Sequence, residues 1–167
     1  SAPGEDSDIT GVVHGPVADI NLRSGSGAIY LFTRTAGTWT QQAYAKTSNA
    51  GTNDFVGSSL ALSANGNLLA VGVPSEDSNL TGVRTVAFGD NDLSVDSGAV
   101  YLFARAGSTW SQQAHVKGHA VANIQGFGSG VALSGDGTTL AVGAYNEGSN
   151  LRGVFAPSAP VNTAAHQ

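Results

Sequence analysis

One acidic loop carries the residues whose types and spacing best suit a chemical role. Oxygen-bearing side chains recur along it: Glu76, Asp77, Asp90, Asp92, Ser94 and Asp96. The last four stand at alternate positions, the spacing with which a curled loop surrounds Ca²⁺. The loop lacks the glycine and the final glutamate of the common calcium loop. Two interpretations therefore stay open: a calcium site, or a solvated acidic loop whose aspartates form turns.

An earlier loop repeats this chemistry in weaker form. Its oxygen-bearing side chains are Glu5, Asp6, Asp8, Asp19 and Asn21. Arg23 adds a positive charge to the same loop, and a positive charge repels a bound cation. We therefore expect this loop to be the poorer cation site.

The histidines are less suited to metal binding. His115 and His119 are four residues apart, which on a strand places them on one face but roughly 13 Å from each other. One metal ion cannot bridge that distance, so both are expected to be ordinary surface histidines. The sequence contains no nucleophile elbow, no phosphate-binding glycine loop and no zinc-protease motif, so we expect no enzymatic activity.

Aromatic residues offer a third kind of candidate site. Trp39 and Trp110 suit either stacking on a ligand such as a sugar ring or packing between structural units, and both interpretations stay open. Tyr30 and Phe32 alternate along a predicted strand and share one of its faces, which favours core packing for this pair.

These candidate residues belong to a sequence that repeats itself. Residues 26–32 (SGAIYLF) return as residues 97–103 (SGAVYLF), 71 positions later, and the same offset holds from 3/74 through 83/154. Alternating apolar residues and turn residues divide each copy into four short antiparallel strands. The predicted strands are 27–34, 38–46, 60–63 and 68–73, with counterparts at 98–105, 109–117, 131–134 and 140–144.

Composition limits the class of protein. The chain has 167 residues, of which 41% are hydrophobic and 23 are glycine, which suits a compact β core with many turns. A net charge of −5 with 11% charged residues disfavours a nucleic-acid or anionic-membrane surface. Cysteine is absent, which excludes disulfides and thiolate metal sites, and the apolar runs are too short to span a bilayer. We interpret the start at Ser1 as a trimmed, mature product.

The boundaries of the repeated unit do not coincide with the ends of the chain. Residues 1–154 hold a half unit, a full unit and another half unit, and residues 155–167 form a divergent tail. Half units leave unpaired strand edges. We therefore expect the half unit at residues 27–46 of one chain to complete the half unit at residues 131–144 of another, in a closed homo-oligomer.

Several sequence pieces also recur in a fixed order: residues 71–74 (VGVP), 98–103 (GAVYLF), 127–137 (FGSGVALSGDG) and 140–144 (LAVGA). They resemble the Phe-Gly/Gly-Ala-Pro repeats of integrin-type β-propellers in their bacterial secreted form, over nearly the whole chain to residue 154. This resemblance implies four-stranded blades around a central axis, with two blade equivalents per chain. The chain departs from the pattern at Val56-Gly57 and at Ala144-Tyr145. The family carries a calcium loop in the first hairpin of each blade. In this chain that hairpin contains one carboxylate, Asp136, in one copy and none in the other, so a calcium loop is not expected there.

The resemblance implies a non-enzymatic module for binding, adhesion or structure, secreted or at the cell surface. Two alternatives stay open: a lectin with repeated loop sites, and a propeller fragment of a larger secreted enzyme or adhesin. Propellers usually have four to eight blades, so a six-bladed trimer is the preferred assembly and an eight-bladed tetramer the second choice. The expected ligand is a glycan or a protein.

Overall fold

The computed structural model describes residues 1–15, 21–85, 91–149 and 153–154, and these residues form an all-β structure. Their strands are β1 (Val12–Val13), β2 (Ile29–Thr35), β3 (Thr38–Ala45), β4 (Ser59–Leu62), β5 (Leu68–Val73), β6 (Val83–Arg84), β7 (Ala99–Ala106), β8 (Thr109–Val116), β9 (Phe127–Leu133) and β10 (Leu140–Ala144). No helix in these ranges is long and apolar enough to cross a membrane. The predicted tail, residues 155–167, lies outside the described residues.

The strands form three antiparallel sheets that are versions of one unit. The middle sheet has the order β4-β5-β7-β8-β6, the first sheet β1-β3-β2, and the last sheet β10-β9. The offset of 71 residues equates β2 with β7, β3 with β8, β1 with β6, β4 with β9 and β5 with β10. The middle sheet therefore contains the whole unit, whereas the first sheet contains its last three strands and the last sheet its first two.

The predicted strands are confirmed with small shifts at their ends. β9 begins at Phe127, four residues before the predicted start, because its ladder with β10 continues past a bulge at Ala144. β1 and β6 were not predicted, since two residues are too few to show an alternating pattern. Each pairs with the outer side of a longer strand, β1 with β3 and β6 with β8.

The two long hairpins have similar sequences and share the same irregularity. The β2–β3 ladder shifts register between Leu31 and Phe32, and the β7–β8 ladder shifts between Leu102 and Phe103. Such bulges bend and twist a strand locally. The local sequence alone therefore sets the shape of this hairpin in both copies.

Neighbouring sheets meet where two glycines allow close backbone approach. Gly27 bridges to Val56 and Gly98 bridges to Phe127, in both cases in the parallel sense. A Cβ atom at Gly27 would lie 2.4 Å from the Val56 nitrogen, and one at Gly98 would lie 2.2 Å from the Phe127 oxygen. Both glycines also have positive φ, 77° and 80°, which other residues rarely adopt. The step from the first sheet to the middle sheet is thus repeated from the middle sheet to the last.

The hydrophobic core lies in the first and middle sheets. Its larger buried members are Ile29, Val56, Leu69, Val71, Val73, Tyr101, Phe103 and Trp110. Burying a side chain of this size contributes about 1.5–3 kcal/mol. The core thus consists of one complete sheet and the neighbour packed against it.

Candidate functional site

A buried ion pair lies at the base of the predicted acidic loop. Glu76 follows β5 at the start of that loop, and Lys117 directly follows β8. The Lys117 Nζ atom is 2.5 Å from Glu76 Oε2 and donates a further hydrogen bond of 2.7 Å to Ser97 Oγ. It also donates to the carbonyl oxygen of Ser78. The ammonium group and the carboxylate are both buried, and together they fix the loop to the end of the sheet.

The second oxygen of the Glu76 carboxylate binds a residue from the preceding unit. Asn49 Nδ2 donates to Glu76 Oε1 at 2.9 Å, and Asn49 Oδ1 accepts from the Tyr101 hydroxyl at 2.5 Å. His115 Nε2 lies 3.9 Å from the same Glu76 oxygen. Asn49 follows β3, so this network connects the first sheet to the middle sheet.

Burial and charge set the ionisation of these groups. Burial by itself raises the pKa of Glu76, but the Lys117 ammonium outweighs burial, so the pKa of Glu76 lies below its usual value. Burial lowers the pKa of His115 from 6.5 to about 4, although Glu76 partly opposes the change. The carboxylate is therefore charged and the imidazole neutral at pH 7. The expectation that His115 lies at the surface is wrong, because its side chain is fully buried beside Tyr101.

The first copy contains the same cluster with one substitution. Lys46 Nζ lies 2.9 Å from Glu5 Oε2 and 2.5 Å from Ser26 Oγ. Tyr44, which stands where the second copy has His115, donates from its hydroxyl to Glu5 at 2.8 Å. Burial and this hydrogen bond raise the pKa of Tyr44. The Glu5 side chain keeps 15% of its surface exposed, whereas that of Glu76 keeps 1%.

Sequence reasoning missed this cluster. It assigned Glu5 and Glu76 to candidate cation sites, whereas the structure pairs each with a lysine that was not singled out. The signal was present in the repeat, because Glu5, Ser7, Ser26 and Lys46 recur at the fixed offset. The recurrent set is Glu76, Ser78, Ser97 and Lys117.

The acidic loop brings together some of the predicted calcium ligands. Asp77 Oδ1 accepts a 2.7 Å hydrogen bond from the Asp96 backbone nitrogen, and the Asp77 carbonyl accepts one of 2.7 Å from the Ser94 nitrogen. Burial raises the pKa of Asp77, and the nearby charges of Asp96 and Asp92 add to this rise. Asp90 lies outside the described residues. Across the ranges the structure describes, no three His, Cys, Asp or Glu side chains are grouped so as to hold a metal ion.

The weaker loop is built in the same way. Asp6 Oδ1 accepts from the Gly25 nitrogen at 2.7 Å, as its counterpart Asp77 does from Asp96. Arg23 donates to the carbonyl oxygen of Ala50, and Asn21 is exposed. Asp19 lies outside the described residues. In both loops the first aspartate therefore forms a hydrogen bond that fixes the loop.

The two tryptophans occupy different environments. Trp110 is 4% exposed, and its indole nitrogen donates to Gln42 Oε1 at 2.8 Å, across the contact between the first and middle sheets. Its backbone nitrogen donates to His14 Nε2 at 2.9 Å. Trp39, its counterpart, is 64% exposed. Trp110 therefore packs between units, and Trp39 presents an open ring.

Comparison of the chain with protein-family models, curated protein sequences and solved structures finds no match.

Proposed function

We propose that this chain is a non-enzymatic module of the β-propeller type, secreted or at the cell surface, that serves in binding, adhesion or structure. The observation that carries this proposal is the repeated step between sheets. The Gly27–Val56 bridge and the Gly98–Phe127 bridge join successive units in the same way. A unit that meets its successors by a constant step stacks into a regular array, which is typical of propellers and solenoids.

The closed character of the cluster around Glu76 and Lys117 supports a non-enzymatic role. The side chains of Glu76 and Lys117 are each 1% exposed, and a substrate has no access to them. Their hydrogen bonds go to Asn49, Ser78 and Ser97 of the same chain. A paired and enclosed cluster of this kind fixes a loop, whereas catalysis requires a group that reaches a substrate.

We further propose that the module works as a closed homo-oligomer. Two unit equivalents per chain give an even number of blades, so a trimer with six blades is preferred and a tetramer with eight is second. Sedimentation equilibrium tests this proposal, and three or four chain masses are the expected result. A monomer at micromolar concentration would contradict it.

The exposed ring of Trp39 favours a lectin as the second candidate function. Exposed aromatic rings can stack on sugar rings, and the Trp39 ring is open in the single chain. A glycan array with the wild-type chain and Trp39→Ala separates the two functions. Glycan binding that the substitution abolishes supports the lectin, and the absence of glycan binding favours a structural or protein-binding module.

A calcium site in the acidic loop remains part of the proposal. Asp77, Asp92 and Asp96 lie close enough for their charges to act on one another. Oxygen ligands of this kind are those that Ca²⁺ prefers.

A further inference from the structure

Two edge strands, β2 of the first sheet and β10 of the last, have counterparts in the middle sheet that pair with a strand on both sides. Among the described residues, β2 has β3 as its only strand neighbour, and β10 has only β9. Their counterparts β7 and β5 pair with each other over six positions, from Leu68↔Ala104 to Val73↔Ala99. The middle sheet thus shows how a strand like β10 pairs with a strand like β2.

We infer that β10 of one copy of this chain adds to β2 of a second copy, in the register of β5 on β7. This inference rests on the proposed assembly of the chain and names the contact that forms it. The offset places Leu140 opposite Phe32, as Leu69 stands opposite Phe103. Leu69 and Phe103 are 4% and 0% exposed, whereas Phe32 is 53% exposed. The added strand covers the surface that β5 covers on β7.

The tryptophans give an independent indication of the same arrangement. Within the chain, Trp110 of the middle sheet donates to Gln42 of the first sheet. The counterparts of these two residues are Trp39 and Gln113. They do not form this contact within one chain, because Trp39 lies in the first sheet and Gln113 in the middle sheet, the reverse of the order that the contact requires. Adding β10 to β2 of a second copy brings Trp39 of that copy to Gln113 of the first. One placement therefore covers two of the exposed aromatic residues, Phe32 and Trp39.

The start of the chain occupies part of this site. Ala2 pairs with Ala28 as Val73 pairs with Ala99, and Glu5 binds Lys46 as Glu76 binds Lys117. The strand that arrives from the other copy carries its own equivalents, Ala144 and Glu147. Residues 1–8 must therefore leave, and Glu147 replaces Glu5 on Lys46. The exchange keeps the lysine paired and extends the ladder along β2.

Glu147 is available for this exchange. It is exposed and accepts a 3.1 Å hydrogen bond from the nitrogen of Ser149, two residues on. Its counterparts Glu5 and Glu76 each bind a lysine.

Disulfide trapping tests the register directly, because the chain contains no cysteine. Phe32→Cys and Leu140→Cys variants are mixed under mild oxidation, with Leu31→Cys and Leu140→Cys as the matched control. A shift of one residue turns a side chain to the opposite face of the strand. We expect the first mixture to form at least tenfold more crosslinked dimer than the control. Equal yields in the two mixtures would overturn the inference.

A second experiment tests the exchange at Lys46 by effects of opposite sign. Glu5→Gln weakens the hold of residues 1–8 and should increase self-association, whereas Glu147→Gln should reduce it. Association is followed by the blue shift of tryptophan emission with rising concentration, and Trp39→Phe serves as the control that loses this signal. If both glutamine variants associate equally, exchange at Lys46 is refuted.

The outcomes separate this inference from the proposed function. An oligomer of three or four chains without the Phe32–Leu140 crosslink refutes the β10–β2 contact and leaves the proposed assembly standing. A monomer without crosslink or emission shift refutes both. An oligomer with the crosslink supports both.

Discussion

The two copies of the repeat have nearly the same sequence and very different surroundings. Phe103 is fully buried and Phe32 is 53% exposed, although both lie in a Tyr-Leu-Phe strand with the same bulge. β7 has β5 on one side and β8 on the other, whereas β2 has only β3 among the described strands. The comparison shows that local sequence shapes the strand and that the neighbouring strand decides its burial.

The ionic clusters differ in the same way. Glu76 is enclosed by Asn49 from the preceding unit, whereas Glu5 retains contact with solvent. The carboxylate that has a residue of the preceding unit beside it is buried, and the other stays partly exposed. The Glu76 charge should therefore depend more strongly on its lysine than the Glu5 charge does.

The largest difference is expected between the two lysines. Lys117→Met leaves the Glu76 charge buried without its ammonium partner and should lower the free energy of unfolding by about 3–5 kcal/mol. Lys46→Met leaves Glu5, which water can reach, and should cost clearly less. Urea unfolding of both variants measures the difference. Equal losses would show that the two clusters have the same environment in solution.

The next effect concerns the two phenylalanines. Phe103→Ala creates a cavity in the core and should cost about 3–4 kcal/mol. Phe32→Ala removes an exposed ring, so its cost should stay within about 0.5 kcal/mol in the monomer. Thermal unfolding at low protein concentration provides the comparison. A large cost for Phe32→Ala that grows with concentration would indicate that assembly buries this ring.

Acid should destabilise the protein through His115. Because the pKa of His115 falls from 6.5 to about 4 on folding, the unfolded chain binds the proton more readily between these values. Stability should therefore be complete above pH 6.5 and decrease by about 3 kcal/mol by pH 4. Loss of the Glu76 charge adds a further decrease at lower pH, as its carboxylate is protonated.

The matched control for this pH dependence is His115→Tyr, which copies Tyr44 of the first repeat. Urea unfolding between pH 4 and pH 7 should show a shallower slope for the variant than for the wild type. An unchanged slope would mean that another group carries the pH dependence.

The smallest expected effect is that of calcium. Glu76 is committed to Lys117 and Asp77 to the Asp96 nitrogen, so few oxygens of the acidic loop are available to a cation. We therefore expect weak binding, in which millimolar calcium raises the melting temperature of chelator-treated protein by about 1 °C and Asp92→Ala abolishes the rise. No calcium effect on the wild-type chain would refute the calcium site.

The sequence by itself determined the all-β class, the unit length and most strand positions. The offset of 71 residues and the alternation within each segment are local patterns, and residues such as Gly27 and Gly98 keep the same backbone conformation in both copies. Local patterns act through the chain's own sterics and turn chemistry, which require no knowledge of distant residues.

Tertiary structure alone decided which of these repeated residues became buried and what they bind. Lys117 meets Glu76 from 41 positions away, and Asn49 reaches the same carboxylate from the preceding unit. His115 was expected at the surface because it has no metal-binding partner within reach along its strand, yet β7 and Glu76 enclose it. Burial and charge pairing depend on which segments pack together, and two similar sequences acquire different chemistry when their neighbours differ.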